Sequence, residues 1–283
     1  MTEKPLSPDE VEAFVRDGFV RLAGAFPTEV ADDCRAFLAK AVAEETGIDA
    51  DDPSTWTRPV VRLMGFGAEP FRRAARTARL HSAFDQLVGP GRWMPRDGIG
   101  TFPIRFPHPD DPGDAGWHMD GSYTPEGERT YWLNLRSRGR ALLMLFLFSD
   151  TGPEDAPTRI KVGSHLDVPP FLVPYGERGV DGLELCHRMD AAGALDSPAR
   201  PTVTATGRAG DVYLCHPFLI HAAQRNRGRR PKFMAQPPLM PTGLLDLGPE
   251  PAEAPAPGGP AADHSPVERA VLQALGRQRA LGG

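Results

Sequence analysis

The sequence predicts a mainly β fold with flanking α-helices. Composition is the first reason, because the 283 residues include 30 Gly and 31 Pro and only 40% are hydrophobic, which favours a turn-rich chain over a helix bundle. The second reason is a change of pattern at about residue 98, where short apolar or alternating segments follow one another with Gly and Pro between them. Strands spaced in this way are typical of a sandwich, a barrel or a jelly roll.

Helices are predicted in the N-terminal part, residues 7–90. Ser7-Pro8-Asp9-Glu10 is a capping box with Pro at the first helical position, and Gly18 is expected to end the helix that begins there. Apolar residues recur with helical spacing over residues 28–46, and a further helix is expected over residues 69–88.

The predicted β core covers residues from about 98 to 240. Residues 141–148 are apolar at every position, so we expect a strand that is covered on both faces. Together with one short strand in the N-terminal part, the predicted strands cover residues 19–22, 99–106, 115–120, 130–136, 141–149, 158–162, 202–206, 211–215 and 232–239.

We expect residues 1–243 to form a single domain. Residues 244–263 are rich in Pro, Ala and Gly and are predicted to be a flexible linker. A second capping box, Ser265-Pro266-Val267-Glu268, predicts that a helix begins in the terminal segment 264–283.

Charge and cysteine content limit the classes of partner. A net charge of −5 argues against a nucleic acid or an anionic membrane, and no apolar segment reaches the roughly 18 residues of a membrane span. The start of the chain lacks an apolar signal sequence. Cys34, Cys186 and Cys215 are widely spaced, so we expect reduced, buried thiols in a cytoplasmic protein. A small-molecule substrate is the remaining class of partner, and the sequence leaves the oligomeric state open.

His118, Asp120 and His221 are the candidate metal ligands. Two imidazoles and one carboxylate are the ligand types that hold non-haem Fe(II) on one face of an octahedron. The opposite face then stays open for a bidentate co-substrate and O₂. This pattern predicts an oxygenase.

The chain contains three His-x-Asp pairs, which begin at His108, His118 and His165. His108 lies in a segment rich in Pro and Asp that is typical of a solvated loop, and His165 follows a turn, where capping or a hydrogen bond to a ligand is its ordinary role. His118 lies between Trp117 and a turn at Gly121. The alternation of a strand then puts His118 and its carboxylate partner on the same side.

His216 and His221 compete for the position of the distal histidine. They are five residues apart, so a regular strand would point them to opposite faces and both cannot be ligands. Pro217 interrupts the pairing after His216, whereas His221 ends an apolar run. The residues by themselves give only a mild preference for His221.

The chain resembles the phytanoyl-CoA dioxygenase family of Fe(II)/2-oxoglutarate oxygenases over roughly residues 7–236. Four motifs occur in the family's order and are together far more specific than any one of them. They are Ser7-Pro8-Asp9-Glu10-Val11-Glu12-Ala13-Phe14 leading to Asp17-Gly18-Phe19-Val20, then Trp117-His118-Met119-Asp120-Gly121, then Ala156-Pro157-Thr158-Arg159-Ile160 with Gly163-Ser164-His165, and finally Gly210-Asp211-Val212 with His216-Pro217-Phe218-Leu219-Ile220-His221.

The resemblance implies a double-stranded β-helix, the jelly-roll core of cupin-like proteins, with N-terminal helices packed against it. It implies iron ligation by His118, Asp120 and His221 and gives His165 no ligand role. It also implies 2-oxoglutarate as co-substrate with O₂, succinate and CO₂ as co-products, and hydroxylation as the default outcome. Halogenation is disfavoured because Asp120 is present, whereas halogenating relatives lack the carboxylate.

The resemblance is weaker in the co-substrate pocket. The family places an Arg eleven residues after the distal histidine to pair with the far carboxylate of 2-oxoglutarate, and this chain has Lys232 there. A Lys supplies a point charge without the bidentate fork of Arg. We favour Lys232 over Arg229 or Arg230, which precede a Pro in a predicted exposed turn. Arg105 is a candidate for a second cation in the co-substrate pocket, and its alternative role is an ordinary salt bridge.

Two other functions use the same residues. One is a cupin-like hydrolase or isomerase with Zn²⁺ or Mn²⁺ as a Lewis acid. The other is a non-catalytic relative that only binds a ligand, which the Lys232 departure and Ala223, where a hydroxyl is often found, would favour. Trp117 and Tyr123 are candidates for the substrate cavity or for plain core packing.

The substrate itself is not readable from the sequence. The name of the family makes an acyl-CoA a possible substrate, but the candidate loops contain no strong basic cluster that would bind the phosphates of CoA. We therefore favour a small metabolite or a natural-product intermediate, contacted by loops at residues 107–116, 122–130 and 166–195, of which the last is long enough to act as a lid.

Overall fold

The structure is a computed structural model, which describes residues 4–248 and 264–276. The α-helices in these residues are α1 (Pro8–Asp17), α2 (Thr28–Thr46), α3 (Glu69–Ala75), α4 (Ala78–Leu87), α5 (Val168–Leu172), α6 (Gly182–Ala191) and α7 (Pro266–Ala274). The strands are β1 (Phe19–Leu22), β2 (Val60–Leu63), β3 (Phe102–Arg105), β4 (Trp132–Leu133), β5 (Leu142–Leu147), β6 (Arg159–Lys161), β7 (Val180–Asp181), β8 (Thr202–Thr204), β9 (Val212–Cys215), β10 (His221–Ala222), β11 (Met234–Ala235) and β12 (Pro238–Leu239).

The strands pair in antiparallel sheets. The largest sheet has the order β1-β9-β5-β11. Strand β12 also pairs with β5, at Leu142 and Leu143, whereas β11 pairs with Phe146 and Leu147. A second sheet has the order β10-β6-β8, and β2–β3 and β4–β7 form two-stranded sheets. The chain is therefore a mixed α and β protein, with more helix than the prediction of a mainly β fold allowed.

Strand β5 is buried on both faces, as its apolar sequence predicts. Leu142, Met144 and Phe146 belong to the large apolar cluster that includes the helices. Leu143 and Leu145 alternate with them and belong to a second cluster, together with Ile160 of the second sheet. The larger sheet thus packs helices on one side and encloses an apolar interior on the other.

The predicted helix over residues 69–88 is in fact two helices. Thr77 interrupts it with an extended backbone (φ −68°, ψ 143°). The hydroxyl of Thr77 accepts a hydrogen bond from the N–H of Leu80 and so caps α4. It also donates to the carbonyl of Ala25, 2.6 Å away, and this contact from a distant part of the chain fixes the break.

Two further expectations need correction, and one strand was missed. No strand forms over residues 115–120, where only an isolated bridge between His118 and His221 is present. Residues 166–195 are not a structureless loop, because they contain α5, β7 and α6. Strand β2, which pairs with β3, was not predicted.

The C-terminal helix α7 begins at the predicted capping box, with the Ser265 and Glu268 side chains each bonded to the other's backbone N–H. Glu268 is buried and forms a salt bridge with Arg92.

Leu245 and Leu247, at the start of the predicted linker, are also buried. Most of that linker, residues 249–263, lies outside the described residues, so the division into domain, linker and helix stays a prediction.

Among residues 4–248 and 264–276, no helix has the length and apolar character needed to cross a membrane.

His165 and His216 form a buried pair of rings, with centroids 4.8 Å apart. The Nε2 of His165 lies 3.0 Å from the carbonyl of Val15 in α1, and the Nε2 of His216 lies 3.2 Å from the carbonyl of Val267 in α7. Burial lowers the pKa of His165 to about 4, an effect that the hydrogen bond to Val15 opposes, and burial lowers the pKa of His216 as well. Both rings are therefore neutral at physiological pH.

We expect acid to destabilise the fold through this pair. The unfolded state takes up a proton at His165 as pH falls through about 6.5, whereas the folded state does so only near pH 4, so the free energy of unfolding falls between these values. For His165 alone the loss is about 3 kcal/mol at pH 4 and below. Denaturant melts of metal-free protein between pH 7 and 4 measure it, and His165→Gln should show a smaller slope. Equal slopes would contradict this assignment.

Candidate metal centre

Three donor groups meet at one edge of the enclosed interior. One ligand atom from each of His118, Asp120 and His221 lies within 4.8 Å of the other two. The Nε2 of His118 is 3.9 Å from Oδ1 of Asp120, and the Nε2 of His221 is 4.0 Å from Oδ2 of the same carboxylate. The structure thus brings together the three residues that the sequence selects as candidate ligands.

Backbone pairing places the two histidines side by side. His118 and His221 each donate a backbone N–H to the other's carbonyl, over 3.0 and 2.9 Å. Residues paired in this way point their side chains to the same face. The ring centroids are accordingly 4.5 Å apart. His221 begins β10, where it is paired with Ile160 of β6.

Both imidazoles are held in the same tautomer. The Nδ1 of His118 lies 2.9 Å from the carbonyl of Gly116, and the Nδ1 of His221 lies 3.0 Å from that of Leu219. A carbonyl only accepts, so each Nδ1 carries the proton and each Nε2 keeps its lone pair. The Nε2 of His221 is buried and has no hydrogen-bond partner in the described part of the chain. Burial lowers the pKa of His221 to about 4, against the attraction of Asp120, so this ring stays neutral.

Asp120 supplies the negative charge of the centre. Burial by itself would raise the pKa of this carboxyl, but the charge and the hydrogen bond of Arg140 act against burial, and the pKa of Asp120 is lowered. The Nη1 of Arg140 donates to Oδ2 of Asp120 over 2.9 Å. Asp120 is therefore a carboxylate at neutral pH. The side chains of His118 and Asp120 are 39% and 31% exposed, so the centre opens to solvent on their side.

Lys232 lies in the interior without an anionic partner. Its residue is only 2% exposed, and its Nζ donates to the carbonyl of Ala156 over 2.6 Å. No carboxylate of the described residues lies within ion-pair distance of it. Burial, aided by Arg105 and opposed by Asp155, lowers the pKa of Lys232 to about 7. Two residues further on, Met234 belongs to the interior cluster, so strand alternation directs Lys232 to the same side.

Arg105 pairs with Lys232 through the backbone, with N···O distances of 3.1 and 2.8 Å. Its guanidinium is buried and forms a two-pronged salt bridge with Asp114, at 3.0 and 2.6 Å. Arg105 is thus already neutralised, whereas Lys232 is not. Arg229 and Arg230, the other candidates, are exposed in the turn before Pro231, as the sequence predicts.

Comparison with known proteins agrees with this geometry. Residues 14–234 match the family described as phytanoyl-CoA dioxygenase, PhyH. The chain belongs to the phytanoyl-CoA dioxygenase family. It is accordingly an enzyme of the Fe(II)/2-oxoglutarate-dependent dioxygenase class, and the cofactors of the PhyH family are Fe(II), 2-oxoglutarate and O₂. A search of curated proteins found no relative of significant similarity.

Solved structures share the fold of this PhyH chain. The non-heme α-ketoglutarate-dependent carbocyclase SnoK from nogalamycin biosynthesis is 18% identical, with a TM-score of 0.54 over 85% of this chain and 86% of its own. HygX from Streptomyces hygroscopicus, with nickel, 2-oxoglutarate and hygromycin B bound, is 19% identical, with a TM-score of 0.51 over 82% and 86%. The epimerase SnoN, also from nogalamycin biosynthesis, is 18% identical, with a TM-score of 0.52 over 81% and 80%.

Trp117 packs away from the metal centre of this PhyH protein. Arg159 and Lys161 lie over its ring, at 4.7 and 4.8 Å from the centroid. These two residues alternate with Ile160, which faces the interior. Trp117 is therefore held on the outer face of β6 rather than in the cavity. The hydroxyl of Tyr123 donates to the carbonyl of Arg178, in the segment that precedes α6.

Sequence reasoning missed Arg140 as part of the site. It is 7% exposed and bonds both Asp120 and, over 3.1 Å, the carbonyl of Gly121. The available signal was a cation placed next to the apolar strand β5, where a charged side chain is rarely buried unless it has a partner.

We expect His118 and His108, each of which begins a His-x-Asp pair, to behave differently in a metal-binding experiment. His118→Ala removes one of three convergent donors and should weaken Ni(II) binding by at least about 100-fold, more than the loss of a supporting hydrogen bond. His108→Ala is the matched control, because the Nδ1 of His108 only accepts a bond from the N–H of Asp110. Calorimetric titration of metal-free protein measures both. Equal affinity of the two variants would refute this assignment.

Proposed function

We propose that this chain hydroxylates a C–H bond of a small metabolite or natural-product intermediate, with succinate and CO₂ as co-products. The observation that carries the proposal is the cluster of His118, Asp120 and His221, in which a buried imidazole nitrogen has no partner. A buried Nε2 with a free lone pair costs stability unless something binds it.

The residues fit Fe(II). Two neutral imidazoles and one carboxylate are the donor set of non-haem iron oxygenases, and both imidazoles present Nε2 because Nδ1 is used by a carbonyl. Iron bound there would supply the activation of O₂ and of the substrate C–H bond. His118, Asp120 and His221 hold and orient it, and the open side next to His118 and Asp120 admits the substrate.

We further propose that the core is a double-stranded β-helix. Two antiparallel sheets, β1-β9-β5-β11 and β10-β6-β8, meet at one interior cluster, to which the first contributes several side chains and the second contributes Ile160 of β6. That arrangement of two facing sheets is expected of the jelly-roll fold.

Lys232 is our candidate for the anchor of the far carboxylate of 2-oxoglutarate. An ammonium has three donors, and the Nζ of Lys232 uses one of them on Ala156. A buried cation with donors to spare and no anionic partner is a binding site for an anion. Arg105 beside it adds positive charge but is already bonded to Asp114, so we assign it a supporting part.

The surrounding apolar side chains keep water out of the interior. Leu145, Ile160 and Met234 are buried in one cluster, on the side of the sheets to which Lys232 is directed. Exclusion of water strengthens every charge interaction inside. The attraction between Lys232 and a carboxylate is therefore far larger there than at the surface.

Two observations support a small metabolite or natural product as the substrate: the loops near the candidate metal centre, and the molecules associated with the similar structures. Residues 122–130, which follow Asp120 directly, contact the segment before β7 and α6, because the hydroxyl of Tyr123 donates to the carbonyl of Arg178 and the guanidinium of Arg178 donates to Glu128. HygX was solved with hygromycin B, and SnoK and SnoN come from nogalamycin biosynthesis, which supports a substrate of the natural-product type. The three cysteines are free and buried, which supports a reducing, cytoplasmic location.

Anaerobic titration tests the proposal. We expect metal-free protein, given Fe(II) and then 2-oxoglutarate, to develop the weak visible charge-transfer band of the chelated co-substrate. The band should be absent in His221→Ala and should need more 2-oxoglutarate in Lys232→Ala. A wild type that binds iron without ever showing the band would sink the 2-oxoglutarate assignment.

The affinity for 2-oxoglutarate should depend on pH through Lys232. Below its pKa of about 7 this ammonium is already charged, so pH has little effect there. Above that pH the anion can bind only if a proton is taken up as well, and the affinity should fall by up to about tenfold per pH unit. Dissociation constants of the Ni(II)-loaded protein at pH 6.5, 7.5 and 8.5 measure this.

Lys232→Arg is the control for this pH dependence. A guanidinium stays charged throughout the range, so the variant should bind 2-oxoglutarate with a flat pH profile. A wild type as flat as Lys232→Arg would mean that Lys232 does not bind the co-substrate.

A further inference from the structure

We propose that Arg140 is a positioning residue for Asp120, which it restricts to ligation through a single oxygen. The inference rests on the proposed function, since it concerns the way in which the metal is held. Arg140 contacts Asp120 and its neighbour Gly121, and besides its effect on the charge of Asp120 it can fix the orientation of that carboxylate.

The contacts of Arg140 are directed at the ligand segment. Its Nη1 donates to Oδ2 of Asp120 over 2.9 Å, and its Nη2 donates to the carbonyl of Gly121 over 3.1 Å. A charge-assisted hydrogen bond is about twice as strong as a neutral one. Oδ2 also lies 4.0 Å from the Nε2 of His221, and the bond from Arg140 occupies one of its lone pairs, which disfavours a second bond from the carboxylate to a metal through this oxygen. Oδ1 is left free, 3.9 Å from the Nε2 of His118.

A one-oxygen carboxylate matters for this donor set. A metal that prefers six ligands has three positions left when two imidazoles and one carboxylate oxygen are bound. The chelating co-substrate and O₂ need all three. A carboxylate bound through both oxygens would take one of those positions.

The loop before β5 is built to bring Arg140 to this place. Gly139 has φ +84°, and a Cβ there would lie only 2.4 Å from the carbonyl oxygen of Ser122, two residues after Asp120. The hydroxyl of Ser122 donates to the carbonyl of Arg138 over 2.6 Å. Ser137 adopts φ +46°, a left-handed conformation that costs energy in a residue other than glycine. The loop is thus pressed directly against the ligand segment.

The remaining bonding of Arg140 does not suit a purely structural residue. Its Nε is buried and has no hydrogen-bond partner among residues 4–248 and 264–276. Burial of a guanidinium with an unmade bond costs stability, so a scaffold role would be served better by an apolar side chain. The hydrogen bond to Asp120 therefore explains why a charged side chain is present at this buried position.

Co(II) binding to metal-free protein tests the inference without any turnover. Arg140→Met should raise the Kd for Co(II) by about 10- to 100-fold, the usual effect of losing a residue that orients a ligand. It should also change the visible d–d bands, because the carboxylate is free to rotate. Arg140→Lys keeps the charge and one donor to Oδ2, so its Kd and spectrum should lie between those of wild type and Arg140→Met.

Arg138→Met is the matched control. Arg138 is exposed in the same loop, and its guanidinium lies over the ring of Tyr123 rather than on Asp120. We expect its Kd and spectrum to match those of wild type. Melting temperatures of the metal-free proteins separate a loss of folding from a loss of the ligand's orientation.

Three results would overturn the inference. One is a wild-type Kd and spectrum in folded Arg140→Met, and another is tighter Co(II) binding in that variant, which would mean that charge repulsion outweighs positioning. If Arg140→Met does not fold, Arg140→Lys decides, and unchanged binding in that variant is the third contrary result. Failure of the proposed function is distinguishable from these, because wild type itself would then fail to bind Co(II) or, once loaded, 2-oxoglutarate.

Discussion

The pair of backbone hydrogen bonds between His118 and His221 is the contact on which the rest of the site depends. It is an isolated bridge, outside any regular strand on the side of His118. One pairing fixes the direction of both imidazoles and brings Asp120 to them, because Asp120 follows two residues after His118. Strand β10 is held in turn by β6, where Ile160 is paired with His221 and anchored in the apolar interior. The position of the donors is therefore set by the packing of the two sheets.

Around that contact the chain breaks the ordinary rule that buried polar groups find partners. The Nε2 of His221 and the Nε of Arg140 are buried without one in the described part of the chain, and the ammonium of Lys232 has only a carbonyl. Each costs free energy that the two apolar clusters must offset. Elsewhere local choices agree with the fold, for example at the capping boxes of α1 and α7. His165 Nδ1 and Tyr175 Oη also lack a partner in the described part of the chain, so an unmet hydrogen bond alone does not mark a site. At Arg140 and His221 the unmet bonds lie beside convergent ligand atoms, as expected where a site is built to bind something else.

Features that depend on contacts within one turn could be predicted from the sequence, whereas features that depend on contacts between distant residues could not. The start of α1 at Ser7 and the start of α7 at Ser265 were predictable because a capping box uses only residues within one turn. The end of α3 was not, since the Thr77 cap is fixed by the carbonyl of Ala25, far away in the chain. The choice of His118, Asp120 and His221 rests on the resemblance to the family, since the residues by themselves gave only a mild preference for His221 over His216. Arg140 escaped because its contact depends on how the preceding loop folds against the ligand segment.

The substitution of Lys232 for the family's Arg has a physical rationale in its neighbour. Lys232 and Arg105 are paired through the backbone, so two cations lie side by side in a buried place with one carboxylate, Asp114, already bonded to Arg105. A second guanidinium would stay charged without a partner whenever the co-substrate is absent. A lysine can release its proton, and the lowered pKa of Lys232 reflects this option. If Lys232 binds the co-substrate as we propose, the free-energy cost of a buried cation is thereby reduced, and part of it is moved to the step in which an anion binds and a proton is taken up.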